Sequence, residues 1–135
     1  MEQRLEALSR EYAAQGDAEA QCILGLCYNY GVGVIQDYDE AVAWYQKSAN
    51  QGYADAQYYL GVSYEQGHGV KEDIKKAVAL YQKSAKQGYA PAQYSLGLCY
   101  ENGIGVSQNE KEAESWFRKA AEQGYEEALE HLGIF

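Results

Sequence analysis

Apolar and small residues recur along the chain with the spacing of amphipathic helices. In residues 53–66 they stand at i, i+4, i+7 and i+8, the pattern of a helix that buries one face. This first stripe consists of Ala56, Leu60, Ser63 and Tyr64. A second stripe, in residues 74–86, consists of Ala77, Leu80, Tyr81, Ser84 and Ala85. The two stripes predict a helix A over 53–66 and a helix B over 74–86.

This pair of helices is repeated with a period of 36 residues. Four glycines in the same apolar frame mark the period: Gly25, Gly61, Gly97 and Gly133. Such a period predicts one all-α array over residues 1–135, which grows by stacking rather than around a single centre. Its predicted parts are a half repeat at 1–16 (helix B), full repeats at 17–52, 53–88 and 89–124, and a half repeat at 125–135 (helix A).

The ends of the helices are marked as well. The period predicts further helices A over 17–30, 89–102 and 125–135, and further helices B over 38–50 and 110–122. The predicted N-caps of the helices B are Asp37, Asp73 and Asn109, residue types whose oxygens accept from free amides. Gly61 and its equivalents lie inside helices at a cost of about 1 kcal/mol each relative to alanine. We therefore expect a second helix to pass close to the backbone at each of these glycines.

The repeated motif resembles the Sel-one-like repeat (SLR), a close relative of the tetratricopeptide repeat. It reads Ala-Gln-x-x-Leu-Gly-x-x-Tyr from Ala56 to Tyr64, then Gly-x-Gly-Val from Gly67, then Asp73 with Ala77 four residues later. The resemblance covers residues 16–135, with local departures at Asp17 and Leu129. It implies a right-handed α-solenoid of antiparallel helix pairs, with helices A lining a concave groove. Similar proteins act as adaptors and scaffolds in signalling, protein quality control and bacterial interaction with a host.

Charge narrows the range of partners. The net charge of -9 and a pI near 4.6 disfavour nucleic acid, because phosphate contacts would form against a repulsive field. No apolar stretch is long enough for membrane insertion, and the N-terminus lacks an apolar signal core. Together with free cysteines, this favours a cytoplasmic location, with an exported mature form as the alternative.

The sequence predicts neither an enzyme nor a cofactor or metal site. Cys22 and Cys27 lie on different faces of one helix, and Cys99 is two repeats away from Cys27, so we expect three free thiols. No serine has a lysine three residues later, and the glycine pairs join two helices rather than a strand and a helix. His68 and His131 have no nucleophile in their sequence context and are expected to be solvent-exposed.

The candidate binding residues follow from placing helix A as in tetratricopeptide repeats. The expected floor of the groove is Leu26, Val62 and Leu98, with Tyr58, Tyr94, Cys22, Asn29, Asp55, Glu65 and Glu101 around it. All 11 Lys and Arg residues lie outside the helix A segments, which contain eight acids. The sequence therefore predicts an apolar floor with acidic walls. A solvated surface that keeps the protein soluble is the simpler interpretation of the same charges.

These features favour a non-enzymatic adaptor that binds a basic or amphipathic segment of a partner protein in the concave groove. The alternative is a structural module that stacks or self-associates through its half-repeat ends, or a fragment of a larger array. Its support is the apolar positions Leu5, Leu8 and Leu132, which have no partner in the predicted array.

Overall fold

The computed structural model describes residues 2–134, and within them every regular element is an α-helix. The helices are α1 Glu2–Ala14, α2 Ala18–Tyr30, α3 Tyr38–Asn50, α4 Ala54–Gln66, α5 Ile74–Lys86, α6 Ala90–Asn102, α7 Glu110–Glu122 and α8 Glu126–His131. Each helix packs mainly on the helices before and after it in the chain, with the closest packing inside the pairs α2/α3, α4/α5 and α6/α7. The predicted all-α solenoid with a 36-residue repeat is confirmed. None of the helices in the described range is long and apolar enough to cross a membrane.

The last helix is shorter than predicted. We expected a helix over 125–135, but α8 ends at His131 with Leu132 as its C-cap. Gly133 adopts φ +72 and has open space where a Cβ would be, whereas Gly25, Gly61 and Gly97 lie inside helices against a following helix. The backbone at Gly133 lacks that packing partner. The expectation that Gly133 lies inside a helix and contacts a second helix, as the other three glycines do, was wrong. Phe135 lies outside the described residues.

The glycines inside the helices are contact points between helix A and helix B. A Cβ built on Gly61 would lie 2.7 Å from Tyr81 Cε1 and 3.3 Å from the Ala77 carbonyl oxygen. The same contact joins Gly25 to Tyr45 and Gly97 to Phe117. These three aromatic side chains are 1–2% exposed. Only glycine lets the aromatic ring of helix B lie directly on the backbone of helix A, which confirms the expected close approach.

A glutamine clamp ties the end of each of the helices B α3, α5 and α7 to the start of the helix A of its own repeat and to the turn before that helix A. Gln87 Nε2, just after α5, donates to the Gly52 carbonyl oxygen at 2.9 Å and to Gln57 Oε1 at 2.8 Å. Gln51 and Gln123 make the equivalent contacts to Gln21 and Gln93, the partners of the other two clamps. The acceptor glutamines are only 5–6% exposed. Within residues 2–134 no buried side-chain nitrogen or oxygen lacks a hydrogen-bond partner, so these polar groups are buried at little cost.

Loops and caps fix the start of each helix B. Asp73 accepts from the Lys76 amide, and Asp37 and Asn109 cap α3 and α7 in the same way, as predicted. In the loop after α6, Gly105 has φ +69, and a Cβ there would lie 2.8 Å from Val78 Cγ2 of the preceding helix B. The loop after α4 packs in the same way, since a Cβ on Gly69 would lie 2.9 Å from Val42 Cγ2. These two loops therefore hold successive repeats in one fixed relation.

Gly61→Leu should destabilise the protein by about 2–4 kcal/mol, because a bulky side chain would displace the buried Tyr81 ring. The measurement is urea unfolding followed by circular dichroism. Ala79→Leu, on the exposed side of α5, is the control and should change the free energy of unfolding by no more than about 0.5 kcal/mol. Equal stability of Gly61→Leu and the wild type would contradict the contact.

Candidate functional site

The candidate site is the A face, the surface formed by the predicted groove residues of α2, α4 and α6. Its members are Cys22, Leu26, Asn29, Asp55, Tyr58, Val62, Glu65, Tyr94, Leu98 and Glu101. Glu65 is exposed, Cys22 is buried and the other eight are half-buried. Half-buried side chains are held by packing yet keep surface for a ligand. The A face is thus a shaped surface rather than an enclosed cavity.

Tyrosines connect successive helices A across this face. Tyr58 of α4 has its ring centroid 5.7 Å from that of Tyr81 and 5.5 Å from that of Tyr89, which precedes α6. Tyr94 of α6 lies in the same way, 5.6 Å from Phe117 and 5.7 Å from Tyr125. Each ring therefore contacts its own helix B and the start of the next helix A. Both tyrosines are pre-organised, which lowers the entropy lost when a ligand contacts them.

The carboxylates of the A face lie close to these rings. Glu65 Oε1 accepts a hydrogen bond from Tyr81 Oη at 2.5 Å, and Glu101 Oε2 lies 2.8 Å from His131 Nε2. Burial raises the pKa of Asp55, an effect that hydrogen bonds from the backbone and from Tyr53 partly offset. Burial is also the main cause that raises the pKa of Tyr58 and Tyr94, and neighbouring carboxylates raise it further.

No lysine or arginine neutralises these carboxylates. The ion pairs found among residues 2–134 join Arg10 to Glu6 and Arg118 to Glu114, and His131 makes a contact with Glu101 that is an ion pair only when the imidazole is protonated. Three lysines instead lie near aromatic rings: Lys47 is 4.4 Å from the centroid of Trp44, Lys119 is 4.3 Å from that of Trp116, and Lys76 is 5.2 Å from that of Tyr64. The first two pairs belong to helices B, and the third joins α5 to α4. In the part of the chain that the structure describes, the acids of helices A and the basic residues of helices B, which the sequence separates, therefore do not form ion pairs with each other.

Cys22 differs from the expectation that it would be an accessible groove residue. Its side chain is 3% exposed and packs in the cluster around Tyr45 and Leu60. Burial, together with the charges of Asp55 and Glu19, raises its pKa to about 12. Cys22 therefore contributes little surface to the A face, because the neighbouring rings cover it. Cys27 and Cys99 are also free and buried, and burial raises the pKa of Cys99 to about 11.

Both histidines make side-chain contacts that the sequence did not predict. His68 stacks on Tyr38 with a centroid distance of 4.3 Å, which links the loop after α4 to α3. His131 lies against Phe117 at 4.2 Å and beside Glu101. Position 131 is equivalent to positions 23, 59 and 95 in the 36-residue period. In the described part of the chain, no three His, Cys, Asp or Glu side chains group into a site that could hold a metal.

All three thiols should react slowly with a thiol reagent in the native protein at pH 8, because the thiolate is the reactive form and burial suppresses it. Labelling followed by mass spectrometry should show all three reacting in denaturant. The raised pKa values also predict a free energy of unfolding that falls above about pH 9, where only the unfolded thiols ionise. Native labelling of Cys22 at the rate of an exposed thiol would contradict the burial.

The repeats match the family model described as Sel1 repeat over residues 18–53, 54–89 and 90–125. No curated protein matches the chain significantly. Among solved structures, the chain is similar to a Sel1 repeat protein from Oxalobacter formigenes, with 41% identity, a TM-score of 0.85, and coverage of 91% of this chain and 49% of that one. It is also similar to a protective antigen with an SLR fold present in uropathogenic Escherichia coli strains, with 43% identity, a TM-score of 0.88, and coverage of 93% and 27%.

A third similar structure is cysteine-rich protein B of Helicobacter pylori, with a TM-score of 0.78 and coverage of 100% of this chain and 98% of that one. At 24% identity, this likeness concerns the fold alone. The chain spans about half the length of the Oxalobacter protein and about a quarter of the length of the Escherichia coli antigen.

Proposed function

Because the chain belongs to the Sel1 repeat family, we propose that it is a non-enzymatic adaptor that holds a basic or amphipathic segment of a partner protein on the A face. Sel1 repeat proteins generally mediate protein–protein interaction and are typically non-catalytic scaffolds. The observation that carries the proposal is a floor of half-buried apolar and aromatic side chains bordered by carboxylates without a lysine or arginine partner.

The floor supplies anchoring. Tyr58 and Tyr94 are held by rings on two sides, and Val62 packs beside Tyr58 on the core of the middle repeat. Aromatic side chains in packed surroundings provide much of the binding energy in protein interfaces. An amphipathic segment would place its apolar side chains on this floor.

The carboxylates supply steering and selection. Acids on one face without a lysine or arginine partner attract a basic segment at long range and disfavour an acidic one, an effect that salt screens over about 8–10 Å. Glu65 is hydrogen-bonded to the neutral Tyr81 hydroxyl, a contact that leaves its charge in place. When a basic segment binds, contacts with these carboxylates would replace part of the favourable interaction with water that its charged groups lose.

A second candidate function, stacking or self-association, is supported by the exposed apolar residues of α1. Leu5, Leu8 and Tyr12 are 46%, 48% and 52% exposed, whereas Ala41 and Ser48, equivalent to Leu5 and Tyr12, are fully buried against α2. A further helix packed on α1 would cover these side chains. Light scattering at several concentrations tests this: a mass that rises with concentration favours self-association, and a constant monomer mass excludes it.

The double variant Glu65→Lys with Glu101→Lys should slow association with the partner and remove most of its salt dependence. A pulldown with the wild type and this variant, read by mass spectrometry, identifies the partner, and surface plasmon resonance at several salt concentrations then gives the rates. Glu40→Lys with Glu122→Lys makes the same change in net charge on helices B and is the matched control. Equal loss of association in both pairs would show that only the overall charge matters.

Tyr58→Ala or Tyr94→Ala should instead speed dissociation and cost about 1–3 kcal/mol of binding free energy, as expected for a lost aromatic anchor. Because both rings also pack inside the array, the melting temperature of each variant is measured and the rates are compared well below it. Lys47→Glu with Lys83→Glu tests the opposite surface. If that pair abolishes binding while the A-face variants bind normally, the partner lies on the helix B surface and the proposal is wrong.

A further inference from the structure

Four equivalent positions of the helices A, next to the A face, carry side chains of different size. Residues 23, 59, 95 and 131 are separated by the 36-residue period and are Ile, Tyr, Ser and His. Two of them cover the buried aromatic residue of the preceding helix B. Tyr59 stacks on Tyr45 with a centroid distance of 5.7 Å, and His131 lies on Phe117 at 4.2 Å. Ser95 has no ring to place beside Tyr81.

His131 shows what this position can hold. Its Nε2 lies 2.8 Å from Glu101 Oε2, and its ring stands edge-on to Tyr94, with centroids 6.1 Å apart and planes at 79°. A planar group with a ring nitrogen thus lies between a carboxylate and an aromatic side chain. This arrangement on the A face is built entirely from the chain's own residues.

The middle repeat has the carboxylate and the tyrosine but not the planar group. Its buried ring is Tyr81, whose hydroxyl donates to the carboxylate, where the last repeat has Phe117. Glu65 and Tyr58 are equivalent to Glu101 and Tyr94, and Ser95 replaces His131. Glu65 is exposed and accepts from Tyr81 through Oε1. A carboxylate has about four acceptor positions, so one hydrogen bond leaves most of its capacity free. The Ser95 hydroxyl is close enough to Tyr58 to oppose the rise in the pKa of that tyrosine caused by burial.

We propose that Tyr58 and Glu65 form a binding position for one arginine side chain of the partner segment, next to the small Ser95, in the place that His131 takes beside Glu101. This inference rests on the proposed function of the A face and specifies its ligand. A guanidinium is planar, always charged and rich in N–H donors, so it can stack on a ring while it donates to a carboxylate. A lysine ammonium matches the charge of this position but not its planar shape.

The position beside Tyr58 in the middle repeat and the position beside Tyr94 in the last repeat are therefore not equivalent for a ligand. In the last repeat, His131 occupies the position next to Glu101, so a ligand must displace it. In the middle repeat, a small serine leaves Glu65 accessible. A single substitution at each position should exchange these states.

The probe is N-acetyl-arginine amide, titrated into nitrogen-15-labelled protein and followed by nuclear magnetic resonance, with N-acetyl-lysine amide as the comparison. In the wild type we expect arginine-dependent shifts of the amides around Glu65 and Ser95, and weaker effects with lysine. Ser95→His should weaken arginine binding by about fivefold or more, because its ring would take the carboxylate. Ser95→Ala is the matched control and should bind within about twofold of the wild type.

His131→Ser is the second variant and should open a new position, with arginine-dependent shifts around Glu101 that the wild type lacks. Melting temperatures show whether each variant is folded. Equal binding of arginine and lysine would overturn the proposal. So would wild-type affinity in Ser95→His, or no new shifts in a folded His131→Ser.

The same variants separate this inference from the proposed function. A short amphipathic arginine–leucine peptide is titrated against Glu65→Lys with Glu101→Lys and against Ser95→His. If the first variant loses the peptide and the second binds it normally, the A face is the binding surface but the arginine position is wrong. If both bind as well as the wild type, the A-face proposal fails as well.

Discussion

The contact between a glycine of helix A and an aromatic ring of helix B is the constraint on which the array depends. It brings α4 and α5 together at Gly61 and Tyr81, and the same contact recurs in the repeats on either side. The ring is buried on a backbone rather than on side chains, so a larger residue at the glycine would overlap it. Because the contact is repeated every 36 residues, the helix pairs have one shared geometry. The glutamine clamps tie the two helices of a pair at one end, and the loop contacts fix each pair to the next.

This geometry also determines what the A face can present. With the glycine side of helix A committed to helix B, the tyrosines at positions 58 and 94 lie between successive helices A. Their rings are held on two sides, and Glu65 and Glu101 lie at the same level of each repeat. Glu65 accepts from a tyrosine hydroxyl and Glu101 contacts a histidine, so within the described residues neither acid is paired with a lysine or arginine. The tyrosines that pack successive helices A are also the side chains that the A face presents.

Most of the fold could be predicted from the sequence because it is set by local spacing. The stripe from Ala56 to Tyr64, the caps such as Asp73 and the glycine period each depend on residues close in the chain. The end of α8 could not be predicted, because helix at Gly133 requires a packing partner that the pattern alone does not provide. The burial of Cys22 depends on neighbouring rings of α3 and α4, and the contact of His131 with Glu101 joins residues 30 apart. The helical spacing that places a residue on a face does not say how far its neighbours cover it.

We propose that ligands bind to the A face and not to the helix B surface. A crystal structure of the chain with the arginine–leucine peptide would test this most directly. We expect the peptide along α4 and α6, with apolar side chains on Tyr58 and Tyr94 and an arginine beside Glu65. A peptide bound across α3, α5 and α7, with the tyrosines uncovered, would contradict it.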